Sequence, residues 1–232
     1  MVSSLYQVDK IIFSEKFLKH ENFNEIFELG KSGRLSILNN RLTCWRIFLN
    51  IFQESDPASK WILDLSASRQ HYLTLKQQYY SEDFDLKSKI SASENVQKLS
   101  LSLDYLFEIL KIWLELHNLD YKEDYLEILC ILLTVTETEK FTNSNQGEAE
   151  EILRELNHKN FIPNDTFSLL DSLMSKSSLS LLIPVQLTKK EKQRTILELK
   201  CARIYHFYLK SLDPELYNFL QSKQIETERY IR

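Results

Sequence analysis

The sequence predicts an all-α protein, and three observations carry that prediction. Apolar residues recur at helical spacing along most of the chain, glycine is scarce, and proline is scarce. The 232 residues hold three glycines and four prolines, where average usage would give roughly 16 and about 12. Tight turns depend on those two residues, so their scarcity disfavours sandwiches, barrels and hairpin meanders. Hydrophobic residues make up 43%, charged residues 27% and aromatics 12%, an ordinary globular balance at a length sufficient for one large domain or two small ones.

Phe23, Ile26, Phe27 and Leu29 open an amphipathic helix that should stop at Gly30-Lys31-Ser32-Gly33. A second helix starts near Asn39 and carries Leu42, Trp45, Arg46, Leu49 and Phe52. Asp56-Pro57 ends it, and Pro57 suits the first turn of a third helix that bears Trp61, Leu65, Tyr72, Leu75 and Tyr79 and reaches about Tyr80. Residues 81–95 are polar and lose the period, which reads as a loop. A long helix covers 96–117, a short turn follows at Asn118-Leu119-Asp120, and a helix over 122–136 holds the apolar run Leu126 to Leu133. That run is apolar almost all round, which predicts the central buried helix.

Residues 137–147 read as an exposed linker and 148–157 as a charged helix. Asp165 is the N-cap candidate for a helix over 165–175. The Ser-rich apolar stretch 176–186 is ambiguous. Thr188 with Glu191 forms a capping-box pattern for a helix running to about Lys210, and Asp213-Pro214-Glu215 starts one more short helix. No fixed-period repeat is present, which argues against helical solenoids. The total is eight or nine helices. Tryptophan and tyrosine at helical spacing belong in a core, which assigns Trp45, Trp61 and Trp113 to the interior.

Charge and residue chemistry exclude several function classes. A formal net charge of −4 argues against general nucleic-acid binding, which calls for a basic face. The nearest basic run, Lys189, Lys190, Lys192 and Arg194, is interrupted by Glu191 and Gln193 and reads as the solvated start of a helix. Gly30 and Gly33 are followed by Arg34 and Leu35, so there is no phosphate loop. Cys44, Cys130 and Cys201 are odd in number and widely spaced, which fits buried thiols in a reducing compartment.

The histidines His20, His71, His117, His158 and His206 have no partner at metal-ligand spacing, and no nucleophile elbow occurs. No metal and no cofactor are expected. Pairs such as Asp64 with Arg69, or Glu148, Glu150 and Glu151, read as exposed helix faces. No basic n-region followed by an apolar run stands at the N-terminus, so no secretory signal is expected. The most apolar stretch, Leu99 to Leu119, contains Asp104, Glu108, Lys111 and Glu115, which suits an amphipathic helix and not a membrane span.

Several blocks, in order, resemble the TBC domain, the helical domain of Rab GTPase-activating proteins. Residues 34–52 are similar to its opening, with Arg41 and Trp45 at the Arg-x-x-x-Trp positions. Trp61 and Arg69-x-x-Tyr72-x-x-Leu75-Lys76 resemble the following helix. Asn95-Val96 to Tyr121-Lys122 is similar to the helix that leads into the family's Tyr-x-Gln-Gly motif. Residues 165–174 resemble its aromatic-x-x-Phe/Leu-x-x-Leu-Met segment, and Leu212-Asp213-Pro214-Glu215-Leu216-Tyr217 resembles a late Asp-x-Glu-Leu-Tyr block. Tyr230-Ile231 falls where the family has an aromatic before Arg-Trp. The resemblance assigns 23–232 to one TBC-like domain and 1–22 to an N-terminal extension. It implies structural roles for Arg41, Trp45 and Tyr217. The chain stops at Arg232, before the family's final Trp-containing helix, which implies a domain incomplete at its C-terminus.

A TBC domain lends its GTPase an arginine that stabilises the transition state, worth roughly 10³–10⁵ in rate for finger arginines generally, and a glutamine that positions water. The arginine segment corresponds to 81–95, yet no arginine occurs between Arg69 and Arg154. Lys87 and Lys89 are the nearest cations, and neither has the planar bidentate fork. At the glutamine position the chain has Tyr121-Lys122-Glu123-Asp124-Tyr125, so Glu123 replaces the amide and Asp124 the glycine. The resemblance therefore implies a cytoplasmic regulator of vesicle traffic, peripheral at Golgi or endosomal membranes. It would bind a Rab-family GTPase through Tyr121, Glu123, Asp124 and the 81–95 segment, without finger chemistry or an enzymatic activity of its own. Two other readings stand beside it: an activator using Lys87 or Lys89 as a substitute finger, and a helical scaffold with no GTPase partner.

Overall fold

The computed structural model describes residues 23–34, 41–99, 101–139, 148–176, 184–185 and 194–223. The expected extension 1–22, linker residues 140–147, the Thr188–Glu191 capping box, the lysines of the 189–194 basic run and Tyr230-Ile231 lie outside them. The chain divides into two compact units, Met1–Leu173 and Met174–Arg232.

The first unit is helical. Helix α1 (Phe23–Lys31) runs through Gly30 and gives way to a turn at Gly33, whose φ of +70° lies in the left-handed region that glycine enters without steric cost. Helix α2 (Arg41–Phe48) ends earlier than its apolar spacing predicts. Asn50 adopts φ 53°, and the Arg46 carbonyl accepts from both Ile51 and Phe52. This turns the Phe52 ring onto Trp61, with centroids 5.3 Å apart and planes at 4°. Helix α3 (Ala58–Tyr79) buries Trp61, Leu65, Arg69, Tyr72 and Leu75, a single stripe three and four residues apart. Trp61 and Trp113 are fully buried, whereas Trp45 is only half-buried against the cluster formed by Ile26, Cys44, Ile47 and Leu65.

Residues 81–95 are not a loop. They contain α4 (Phe84–Ala92) and the start of α5 (Glu94–Leu99). The Asp83 carboxylate caps α4 by accepting from the Leu86 N–H at 3.0 Å, and Leu86 and Ile90, four apart, bury its one apolar edge. Two buried residues in so polar a stretch leave almost no period to read. The expected continuous helix 96–117 is likewise broken: α6 (Leu103–His117) has its own N-cap, Ser102, and closes on Asn118 at φ 50°.

Helix α6 takes the central place that the sequence assigns to the next helix, α7 (Glu123–Thr138). It packs against α3, α4 and α7, so Leu106, Phe107, Ile109, Leu110, Ile112 and Trp113 are all enclosed. Helix α7 leaves Ile131 60% exposed. Its last turn is followed by Glu139, whose buried carboxylate accepts from the backbone N–H groups of Arg41 (3.2 Å) and Leu42 (2.9 Å) and from the Arg41 guanidinium (2.7 Å). A distant acid thus satisfies the free N–H groups that open α2.

Helices α8 (Glu148–Leu156) and α9 (Ile162–Lys176) follow, joined by a 3₁₀ turn at Lys159–Phe161. Asp165 is not an N-cap. It lies inside α9, buried, and accepts from Arg46 at 2.9 Å and from Arg69 at 3.0 and 2.9 Å. Arg46 also donates to Asn157, and Arg69 donates to the carbonyls of Glu155 and Leu156 and stacks 4.2 Å over the Phe161 ring. Arg69 therefore turns inward, and Asp64, its expected partner, pairs with Lys60 instead.

In the second unit, Pro184–Val185 (β1) and Arg194–Thr195 (β2) form a two-residue antiparallel ladder, the sole β pairing among the described residues. Thr195 then caps α10 (Ile196–Arg203), with Glu198 completing a capping box. A π-helical turn (Ile204–Leu209) and α11 (Lys210–Leu212) extend the same rod. Asp213 caps α12 (Pro214–Ser222), as the sequence predicts. The two arms meet through Tyr205 and Tyr217, whose rings lie 4.9 Å apart. Apart from the short ladder the architecture is all-α, and no helix of the described residues is long and apolar enough to cross a membrane.

Candidate functional site

The two segments that the resemblance assigns to the missing fingers are neighbours in space. Helices α5 and α7 pack together, and α4 leads directly into α5 across Ser93. A shallow cleft of about 530 Å³ opens between them, lined by Lys89, Ser93, Glu94, Asn95, Tyr121 and Glu123. Lys89 lies on α4, while Tyr121 and Glu123 flank the extended Lys122 that precedes α7.

Glu123 is the hub of this cleft. One carboxylate oxygen accepts from the Ser93 hydroxyl at 2.7 Å, and the other accepts from the Tyr121 hydroxyl. Partial burial and this bond to the Glu123 carboxylate raise the Tyr121 phenol above its ordinary range, so it stays a donor. The Lys89 ammonium sits 5.9 Å from the centre of the Tyr121 ring and is held by Asp85 at 2.5 Å, which raises its pKa. Asn95 reaches across to Glu127 at 3.3 Å.

Lys87 does not join this site. It stands two residues from Lys89, on the other side of α4, and pairs with Asp104 of α6 at 3.5 Å while lying over the Phe107 ring. Of the two substitute-finger candidates only Lys89 reaches the cleft. Asp124 lies beside Glu123 in the first turn of α7, where acidic side chains complement the positive end of the helix dipole. Arg41 binds Glu139, and Tyr217 packs against Tyr205.

The described side chains of the cleft include neither the glutamine amide nor the arginine that the resemblance associates with finger chemistry. A carboxylate only accepts hydrogen bonds, so Glu123 cannot donate to a water or a phosphate as a glutamine amide does. Both its oxygens are already engaged, and no described arginine lines the cleft. Ser93 carried no sequence signal because it sat in an apparent loop. His117 binds Asp171 at 2.7 Å beside the Trp113 ring, and no cluster of metal-ligating side chains occurs among the described residues.

No protein-family model matches this chain, and neither the curated proteins nor the solved structures contain a match to it.

Proposed function

We propose that this chain is a non-catalytic, TBC-like binding protein that docks a Rab-type small GTPase on the cleft formed by α4, α5 and the start of α7. The observation that supports this most is the meeting of segments 81–95 and 121–125 at Glu123. The resemblance assigns both segments to the face that would meet the nucleotide, and they share one cleft. Its pinned carboxylate and the acids beside it present a fixed negative surface to basic groups of a partner, a role in docking and steering.

The test is binding of the whole chain to a panel of Rab GTPases loaded with GTP or GDP, alongside single-turnover hydrolysis. The expected result is preference for one nucleotide state, lost in Glu123→Lys/Asp124→Lys, with hydrolysis close to the intrinsic rate. Acceleration by about a hundredfold or more, within the range of finger-assisted GTPases, would overturn the non-catalytic reading and direct attention to Lys89. Absence of binding to every Rab would overturn the GTPase reading and leave the scaffold.

A further inference from the structure

The two units carry opposite charge. Residues 1–173 hold 18 Lys and Arg against 27 Asp and Glu, a net of −9, and residues 174–232 hold 11 against 6, a net of +5. The whole-chain value of −4 conceals this division. On α10 to α12, Lys200, Arg203, Lys210 and Lys223 are all exposed, and among the described residues none of them pairs with a carboxylate. Two of the three acids on these elements serve the backbone. Glu198 accepts from the Thr195 N–H, and Asp213 accepts from the Leu216 N–H. The cationic surface is left uncompensated.

The same helices expose large apolar side chains. Phe207 is 76% exposed, Leu212 81% and Phe219 55%, and Ile204, Tyr208 and Leu216 also face outward. The contacts between the two arms centre on Tyr217, against Tyr205, His206 and Lys210, and the exposed Phe207, Leu212 and Phe219 are not among them. Cations are interleaved with the rings: Arg203 lies 5.9 Å from the centre of Tyr208, and Lys223 lies 6.0 Å from that of Phe219.

Exposed Phe and Leu mixed with Lys and Arg is the chemistry of a helix that lies in the membrane interface. The apolar groups enter the headgroup–acyl boundary, and the long basic side chains bend outward to the phosphates. A nucleic acid would engage the cations and stack on the rings, but it offers nothing to Leu212 and Ile204. An anionic lipid surface uses all of these groups. Exposed charges are screened over about 8 Å at physiological ionic strength, so the charges on the contacting helices govern the attraction and the net −4 does not.

We infer that the surface of α10 to α12 docks on anionic membranes, with Phe207, Leu212 and Phe219 inserting and Lys200, Arg203, Lys210 and Lys223 meeting lipid phosphate. The inference rests on the second unit alone and stands or falls independently of the GTPase reading.

The experiment is flotation of the full chain with phosphatidylcholine vesicles, with and without about 30% phosphatidylserine, at low and high salt. Binding to the anionic vesicles is expected to exceed binding to neutral ones by about tenfold or more and to weaken with salt. The triple variant Phe207→Ser/Leu212→Ser/Phe219→Ser is expected to lose about tenfold or more, because the inserted apolar area adds binding strength to the attraction of the cations. Lys200→Glu/Arg203→Glu/Lys210→Glu/Lys223→Glu, which changes only exposed positions, is expected to abolish binding and serves if the triple variant does not keep its far-UV circular dichroism. Equal binding to neutral vesicles, no binding to anionic ones, or binding indifferent to the apolar substitutions would each overturn the proposal.

Discussion

The first unit turns its cations toward carboxylates, and the second leaves them facing outward. In the first, Arg46 and Arg69 share Asp165, Arg41 binds Glu139, Lys76 reaches Glu108 at 2.8 Å, and Lys111 bridges Asp83 and Glu115. Each of these pairs joins separate elements or supports the central helix. In α10 to α12 two of the three acids cap helix starts and the cations stay exposed. Apolar side chains divide in the same way: Trp61, Trp113 and Phe107 are enclosed, whereas Phe207 and Leu212 are exposed. Charge pairing ties elements together in the first region, while in the second the same residue types stay on the surface.

The largest expected effect tests the first half of that contrast. Asp165→Ala would leave two guanidinium groups buried with Asn157, carbonyl oxygens and the half-exposed Glu155 carboxylate, 3.5 Å from Arg69, to accept from them. Removing one partner of a buried pair costs about 3–5 kcal/mol, or roughly 10 °C in the melting midpoint of a unit this size. All three tryptophans lie in the first unit, so urea unfolding followed by tryptophan fluorescence reports on it directly. A loss below about 1 kcal/mol would mean that water reaches this cluster and the pairing does not define the first unit.

That cluster also marks the limit of what the sequence discloses. Helix α3 and the start of α12 are legible because periodicity and capping residues are local signals. Arg69 and Asp165 stand 96 positions apart, and nothing local at either residue indicates a buried pair, so Arg69 reads as an exposed helix position and Asp165 as a cap. Residues 81–95 fail for a related reason. Helix α4 forms on the strength of the Asp83 cap and two apolar residues docked on α6, a tertiary contact that propensity does not register. At the candidate site, Tyr121, Glu123 and Lys89 are legible through the resemblance, and Ser93 is not. Helices α6 and α7 each pack on three other elements, and an all-round apolar sequence does not by itself say which of the two is enclosed more completely.

A smaller effect concerns titration in the first unit. Burial, with the Glu139 carboxylate nearby, pushes the Cys44 thiol up to about 12. Its folded pKa thus lies above the unfolded one, near 8.5 for a free thiol. Stability from the neutral thiol is complete below about pH 8.5 and is lost as pH rises toward the folded value. By pH 10.5, two units above the unfolded pKa, the loss reaches about 3 kcal/mol, at 1.36 kcal/mol for each pH unit. Cys44→Ala lowers stability at neutral pH by removing a buried group, so the informative quantity is the slope of stability against pH. That slope is expected to flatten between pH 8.5 and 11 in the tryptophan-reported transition, with Cys130, pushed up to about 11, and Tyr72, also raised, supplying the remainder. An unchanged slope would show that the thiol is already open to solvent in the folded unit.

The smallest effect separates the two units most directly. Asp213 accepts from the Leu216 N–H at the start of α12, and losing such a cap costs about 1 kcal/mol. Asp213→Ala acts on helices that expose most of their side chains and contain no tryptophan. If the two regions are energetically distinct, the substitution lowers the midpoint followed by far-UV circular dichroism or tyrosine fluorescence and leaves the tryptophan midpoint where it was. Equal movement of all the signals would mean that the units unfold as one, and the contrast would then describe surfaces and not separate stabilities. Adding anionic vesicles sharpens the same measurement. A ligand that binds only the folded form raises stability by mass action, so vesicles are expected to restore the far-UV midpoint of Asp213→Ala without moving the tryptophan signal.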